Sequence, residues 1–145
     1  AVTVKDGNVT LKKDRDYTVS YSANKGIGTA KGTVTGKESY TGKITKTFKI
    51  NPQGQSISAK GDKSGKKIAV TLAKHSSNSG YQVSYADNSG FKNSKSLWLS
   101  GNSKNKGTIK GLKSKKTYYV KARDYKTIGK TKVYGKWSAV KKVSI

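Results

Sequence analysis

Short runs in which apolar or β-branched residues recur at every second position fill this chain: "YTVSY" at Tyr17–Tyr21, "KITKTFKI" at Lys43–Ile50, "KIAVTL" at Lys67–Leu72, "GYQVSYA" at Gly80–Ala86 and "TYYVKA" at Thr117–Ala122. A period of two turns one face of an extended strand to a core and the other to water, and no window holds the spacing of an amphipathic helix. Further runs, "AVTV", "GTAKGTVTG", "SLWLS", "KGTIKG" and "WSAVKKVSI", are bounded like the first by Gly, Asn, Asp or Ser, the punctuation of antiparallel strands. The chain is therefore expected to be all-β, as two antiparallel β-sandwich modules in tandem.

A single Pro marks the break between them. In "KINPQGQ" a strand ends at Ile50, and Pro52, which has no N–H for a ladder and holds its predecessor extended, opens a polar stretch. Residues 51–55 are expected to link two domains, 1–52 and 53–145, each with a modest core.

Charge narrows the partners. Lys and Arg number 31 against 7 Asp and Glu, a formal +24, which draws anionic polymers of almost any kind. Only Arg15 and Arg123 are Arg, whereas readers of bases and phosphates favour its planar fork over the hydrated point charge of Lys. Non-specific attraction to polyanions is expected, and specific nucleic-acid recognition is not. Residues 1–52 hold 10 basic and 4 acidic side chains, net +6, and the remainder 21 and 3, net +18, so the field belongs mainly to the second domain. There is no Cys and no apolar run of membrane-spanning length; neither a disulfide framework nor membrane insertion is expected.

The stretch "LKSKKTYYVKARDYK", Leu112–Lys126, is the most informative. Its Leu and Tyr bracketing a tight turn resemble the corner of fibronectin type III domains, and the resemblance extends to "GYQVSYAD" as their third strand and "YGKWSAVKKVSI" as their last. It implies a β-sandwich over 53–145 in which the Tyr118 ring enters the core while its hydroxyl binds backbone of the preceding turn. That family's second strand usually carries a buried Trp; "KKIAVTLAK" has none, so Ile68, Val70 or Leu72 must fill the space.

In the first domain "DYTVSY" at Asp16–Tyr21, "GTA" at Gly28–Ala30, Gly36 with Lys37, "YTG" at Tyr40–Gly42 and "TFKI" at Thr47–Ile50 resemble the strand-rich, Ig-like repeats of Gram-positive bacterial surface proteins. The resemblance implies a secreted or wall-attached, extracellular protein and a partial repeat whose first strands would precede Ala1, leaving an exposed edge. It also implies partners: a host extracellular protein, immunoglobulin variable regions in superantigen fashion among them, or a host glycan.

Residues able to carry a reaction are few. His75, the sole His, lies in "AKHSSNSG" with no Cys or carboxylate close in sequence, and is expected to be a surface-loop residue rather than part of a triad or metal site. Asp14 and Asp16 sit among Lys12, Lys13 and Arg15 and are expected in turn and ion-pair roles, too few for a calcium cage. "NKGIGTAKG" runs straight into a strand, without the helix N-terminus a phosphate loop needs. A Lys-to-Asn isopeptide crosslink beside a buried acid would need a trio that sequence does not reveal. No catalytic, cofactor or metal residues are assigned, and the chain is expected not to be an enzyme.

Parity then divides the informative stretch. With Tyr118, Val120 and Ala122 inward, Tyr119, Lys121, Arg123 and Tyr125 point outward, where neighbouring strands add Trp98 and Tyr134. Exposed Tyr, Trp and Arg dominate protein-binding hot spots, so these six are the candidate partner-binding residues. The competing expectation is that the same row only covers the sheet, with Trp137 of "YGKWS" stacked under its cations. The expected function is a non-catalytic binding module of a bacterial cell surface; a structural spacer held to anionic wall polymers, and a non-specific polyanion binder, are the alternatives.

Overall fold

A computed structural model describes residues 2–145, which form two compact units, Ala1–Ile50 and Asn51–Ile145. Every ladder is antiparallel, and no helix occurs among the described residues.

In the first unit β1 (Lys5–Asp6) and β2 (Val9–Thr10) form a short ladder that turns through Gly7 at φ +55. The expected strand "AVTV" is corrected here: residue 1 lies outside the described residues, and residues 2–4 are in no strand. The backbone of Val4 instead accepts the N–H of Leu11 at 2.9 Å, tying the segment across the ladder. β3 (Tyr17–Ser22), β4 (Gly28–Gly36) and β5 (Lys43–Ile50) make a three-stranded sheet in that order. Its register sets Val19 opposite Val34 and Val34 opposite Ile44, so the apolar parity of all three strands falls on one face. Asp16 is buried at the entry to β3, where it accepts the N–H of Lys12 at 2.7 Å and both arms of the Arg15 fork. The Arg15 hydrogen bonds, then that of Lys12, hold its pKa below the usual carboxylate value. Turn and ion-pair roles therefore meet in this one acid.

The second unit is a two-sheet sandwich. β6 (Ile57–Asp62), β7 (Lys67–Leu72) and β10 (Lys106–Ile109) form one sheet, with β7 in the middle. β8 (Gly80–Ala86), β9 (Lys95–Ser100), β11 (Thr117–Ile128), β12 (Thr131–Tyr134) and β13 (Lys141–Ser144) form the other. β11 pairs with β8 on one side and, on the other, with β13 through Thr117–Val120 and with β12 through Tyr125–Ile128. The expected last strand "WSAVKKVSI" is thus shortened to β13, because residues 135–140 leave the ladder between these two partners.

The inward residues of both sheets interdigitate as one core. Ile68, Val70 and Leu72 of β7 meet Tyr81 and Val83 of β8 and Tyr118, Val120 and Ala122 of β11, all buried. All three β7 residues fill the space for which a Trp is missing. At the corner, the Tyr118 hydroxyl accepts the N–H of Lys113 at 2.9 Å while its ring packs beside Leu112. Of residues 51–55, expected to link the two domains, Pro52 and Gln55 are built into this unit. Pro52 is buried, and the Gln55 side chain donates to the Ala73 carbonyl and accepts the N–H groups of Ala73 and Ser56. A polar side chain that satisfies backbone at the start of the first strand is anchored, not loose.

Two outcomes follow from these contacts. Tyr118→Phe keeps the ring and orphans the Lys113 N–H, so the fold should persist with unfolding free energy lower by about 1 kcal/mol, read as a shifted urea midpoint at unchanged slope. Asp62, at the β6–β7 turn, accepts from the Gly65 N–H and the Ser64 hydroxyl and pairs with Lys67, which lowers its pKa from 3.8 to about 2. A carboxylate depressed by folding contributes stability that is full above its unfolded value and disappears as pH falls through the folded one. Asp62→Asn should therefore flatten the loss of thermal stability between pH 3.8 and about 2.

Candidate functional site

The outer face of the five-stranded sheet follows from the parity of β11. Its even positions from Tyr118 to Asp124 are buried and its odd positions from Thr117 to Arg123 half-exposed, as a strand half-buried against a core requires. Asp124 is the only acid in the five strands of this sheet, and it points inward. The outward face is thus cationic and aromatic without an opposing carboxylate from any strand.

The cations of this face are held against rings. Arg123 lies 3.7 Å above the Tyr134 ring and 4.3 Å from that of Trp137, and its Nε donates to Gln82 on β8 at 2.8 Å. Gln82 donates onward to Ser96 on β9 at 3.0 Å, so one hydrogen-bonded row crosses three strands. Lys121 sits 3.9 Å from Phe91 and 4.9 Å from Trp137, and Lys132 lies 5.8 Å from Trp98 and 5.7 Å from Tyr125. Burial lowers the pKa of the Arg123 guanidinium, with the Tyr134 phenol opposing the shift. A cation partly stripped of water gains about 1–2 kcal/mol over an aromatic face, more than an exposed pair would.

Of the six candidate residues, the structure brings Trp98, Arg123, Tyr125 and Tyr134 into this ladder. Trp98 packs on Tyr125 at 5.5 Å and on Tyr134 at 6.5 Å between centroids and stays 42% exposed. Lys121 joins through Phe91 and Trp137, while Tyr119 is half-exposed one pair along β11, opposite Lys142 of β13. Tyr125 corrects its expectation: it keeps outward parity but is buried, because Trp98 covers its ring. Opposite it, Gly80 has φ +152, and a Cβ there would lie 2.2 Å from the Leu99 carbonyl and 2.8 Å from the Tyr125 hydroxyl. Only glycine lets that ring lie down. Phe91, Gln82 and Lys132 were not among the candidates: Phe91 comes from a loop, and the other two act through cross-strand neighbours that parity on β11 alone does not name.

The His75 expectation is also corrected. Its Nδ1 lies 2.6 Å from Oδ2 of Asp124, across 49 residues of sequence, and its side chain is only 17% exposed. Asp124, fully buried, also accepts from Gln55 at 2.6 Å and from Asn78 at 2.9 Å. The Tyr81 hydroxyl, reaching the same loop, accepts the His75 N–H and donates to the Asn102 carbonyl at 2.6 Å. Two amide donors and the His75 ring nitrogen converge on one carboxyl group, whose burial without partners would be penalised heavily. The knot fastens the segment before β6 and the β7–β8 loop to the strand that carries the ladder.

No family model and no curated protein sequence matches this chain. Among solved structures it is similar to the FN1–FN3 domains of chicken CNTN1, at 17% identity and a TM-score of 0.55, over 83% of this chain and 43% of that one. Domains from titin align at 14% identity and a TM-score of 0.42, over 96% of this chain and 52% of theirs. The chain spans about half the length of either. The first likeness, at that identity, shows the fold: a strand-rich, fibronectin type III-like sandwich.

Asp124→Ala would leave the buried amide of Asn78 without its acceptor and that of Gln55 with only the Ala73 carbonyl. It should lower stability by about 2–4 kcal/mol in denaturant titrations, against less than about 1 kcal/mol for Thr127→Ala, at an exposed position three residues on.

Proposed function

We propose that this chain is a non-catalytic binding module of a bacterial cell-surface protein and that it takes a host extracellular protein through the outer face of the β9–β8–β11–β12 sheet. One observation carries the reading: Trp98 remains 42% exposed at the edge of a ladder whose cations are already fixed over rings. A rigid aromatic beside immobilised Arg and Lys side chains loses little entropy on contact, which is how hot spots concentrate binding energy. The lack of an outward acid on the sheet fits a partner patch rich in Asp and Glu. The surface-protein assignment rests on the Ig-like repeat pattern of the first unit, and an immunoglobulin variable region is the first partner to try.

A second reading, a spacer whose ladder only covers its sheet, is favoured by the Arg123–Gln82 hydrogen bond, which occupies part of the donor fork internally. The two readings part under salt. Against immobilised immunoglobulin, with host glycans as a parallel arm, saturable binding should persist in part from about 0.15 to about 0.5 M salt, where screening shortens to ~4 Å. Trp98→Ala should weaken it by about tenfold or more. Lys60→Gln with Lys106→Gln, which removes charge from the opposite sheet, should change it by less than about threefold. Complete loss at the higher salt, or equal sensitivity to both variants, would leave only diffuse attraction to polyanions.

A further inference from the structure

The first unit has a sheet face that the preceding reading does not use. On β3–β4–β5 the apolar parity presents Val19, Tyr21, Val34, Ile44 and Phe48 on one side, and Thr, Ser and Lys on the other. On the apolar side Tyr17 is buried at the Gly36 end, and Ala30 is buried near the other end, opposite Phe48. Around and between them Tyr21 is 50% exposed, Ile44 57% and Phe48 42%, and the Tyr21 and Phe48 rings meet edge to face at 6.2 Å across Gly32. These side chains line a groove of about 190 Å³. A contiguous apolar patch of this kind on a chain of such charge is a contact surface by its composition.

The edge beside the groove defines what can fill it. β5 pairs with β4 alone, so its outer row of N–H and C=O groups has no strand partner among the described residues. Along this edge Lys43 and Lys49 stand on the polar side and Lys46 on the apolar side, between Ile44 and Phe48. In the register centred on Lys46, a second copy adding antiparallel through the same edge would set Lys46 against Lys46, and Lys43 against Lys49. Like charges directly opposite repel, and edge lysines serve that purpose. β3, at the other edge, carries no Lys. The β5 edge therefore rejects its own kind and attracts a strand of opposite charge.

We propose that β5 is an acceptor edge for an acidic, extended polypeptide segment. That segment would pair its backbone with β5, lay apolar side chains beside Ile44 and Phe48, and set carboxylates against Lys43, Lys46 and Lys49. Backbone pairing supplies affinity, and alternate side chains supply selectivity. The site is separate from the ladder of the second unit and stands or falls independently of it.

The test uses the full chain, isotopically labelled, and a capped peptide of about eight residues, the length of β5, alternating Val or Phe with Glu. Amides of β5 facing the free edge should gain at least about tenfold protection from exchange, and N-methylating alternate residues of the peptide should abolish the gain. Lys43→Glu with Lys49→Glu changes only exposed side chains and leaves the groove intact. This variant should release the Glu peptide and take up the matching Lys peptide. Equal binding of both peptides by either protein, protection that maps to β3 or to the second unit, or self-association of the unliganded chain through β5 would overturn the proposal.

Discussion

The second unit hangs on one geometric constraint, the two-residue period of β11. That strand is central to its sheet, pairing with β8 along one side and with β13 and β12 along the other. Moving its register by one residue would drive Lys121 and Arg123 into the core and turn Val120 and Ala122 to water, so its position is fixed by burial alone. Once it is fixed, the corner at Tyr118, the buried carboxylate at Asp124 and the outward row at Tyr119, Lys121 and Arg123 take their places together. Architecture and candidate interface are two sides of the same twelve residues.

Asp124 is the place where this division is least ordinary, because an ionisable group sits at a core-facing position. Burying it is tolerable because Gln55, Asn78 and His75 converge on its oxygens, and each comes from a segment that would otherwise be loosely held. A carboxylate satisfied in this way costs stability against a well-packed apolar residue, yet it fixes where its partners sit. Its position directly after Arg123 links the loops to the ladder: the strand cannot shift to relax one without disturbing the other. On the outer side the cations are fixed by rings and by Gln82, so the face is rigid from both directions.

Much of this was legible in the sequence because it depends on local rules. Alternation in "TYYVKA" and "KIAVTL", the spacing of Leu112 from Tyr118 and the absence of helical windows follow from period and turn chemistry, and the fold bears them out. What was not legible depends on residues far apart in the chain. The His75–Asp124 contact spans 49 residues, and an acid at inward parity reads as a conflict until its donors are seen. Tyr125 lies on the side of the sheet that parity assigns but is buried, since parity says nothing about a Trp98 arriving from β9 to cover it. Pro52 and Gln55 read as linker by composition, whereas the backbone groups of Ser56 and Ala73 recruit the Gln55 amide.

The central claim is that alternate residues of β11 do different work, and single alanine substitutions from Tyr118 to Arg123, each scored for unfolding free energy and for affinity to an immobilised protein partner, test it most directly. The account predicts a sawtooth. Tyr118 and Val120 should lose about 2–4 kcal/mol of stability, Ala122 being alanine already. Tyr119 and Lys121 should lose less than about 1 kcal/mol of stability and Arg123, held over two rings and by Gln82, about 1–2 kcal/mol, with affinity falling at these odd positions. Odd positions that cost as much stability as even ones, with affinity unmoved, would contradict it and reduce the outward row to a cover for the sheet.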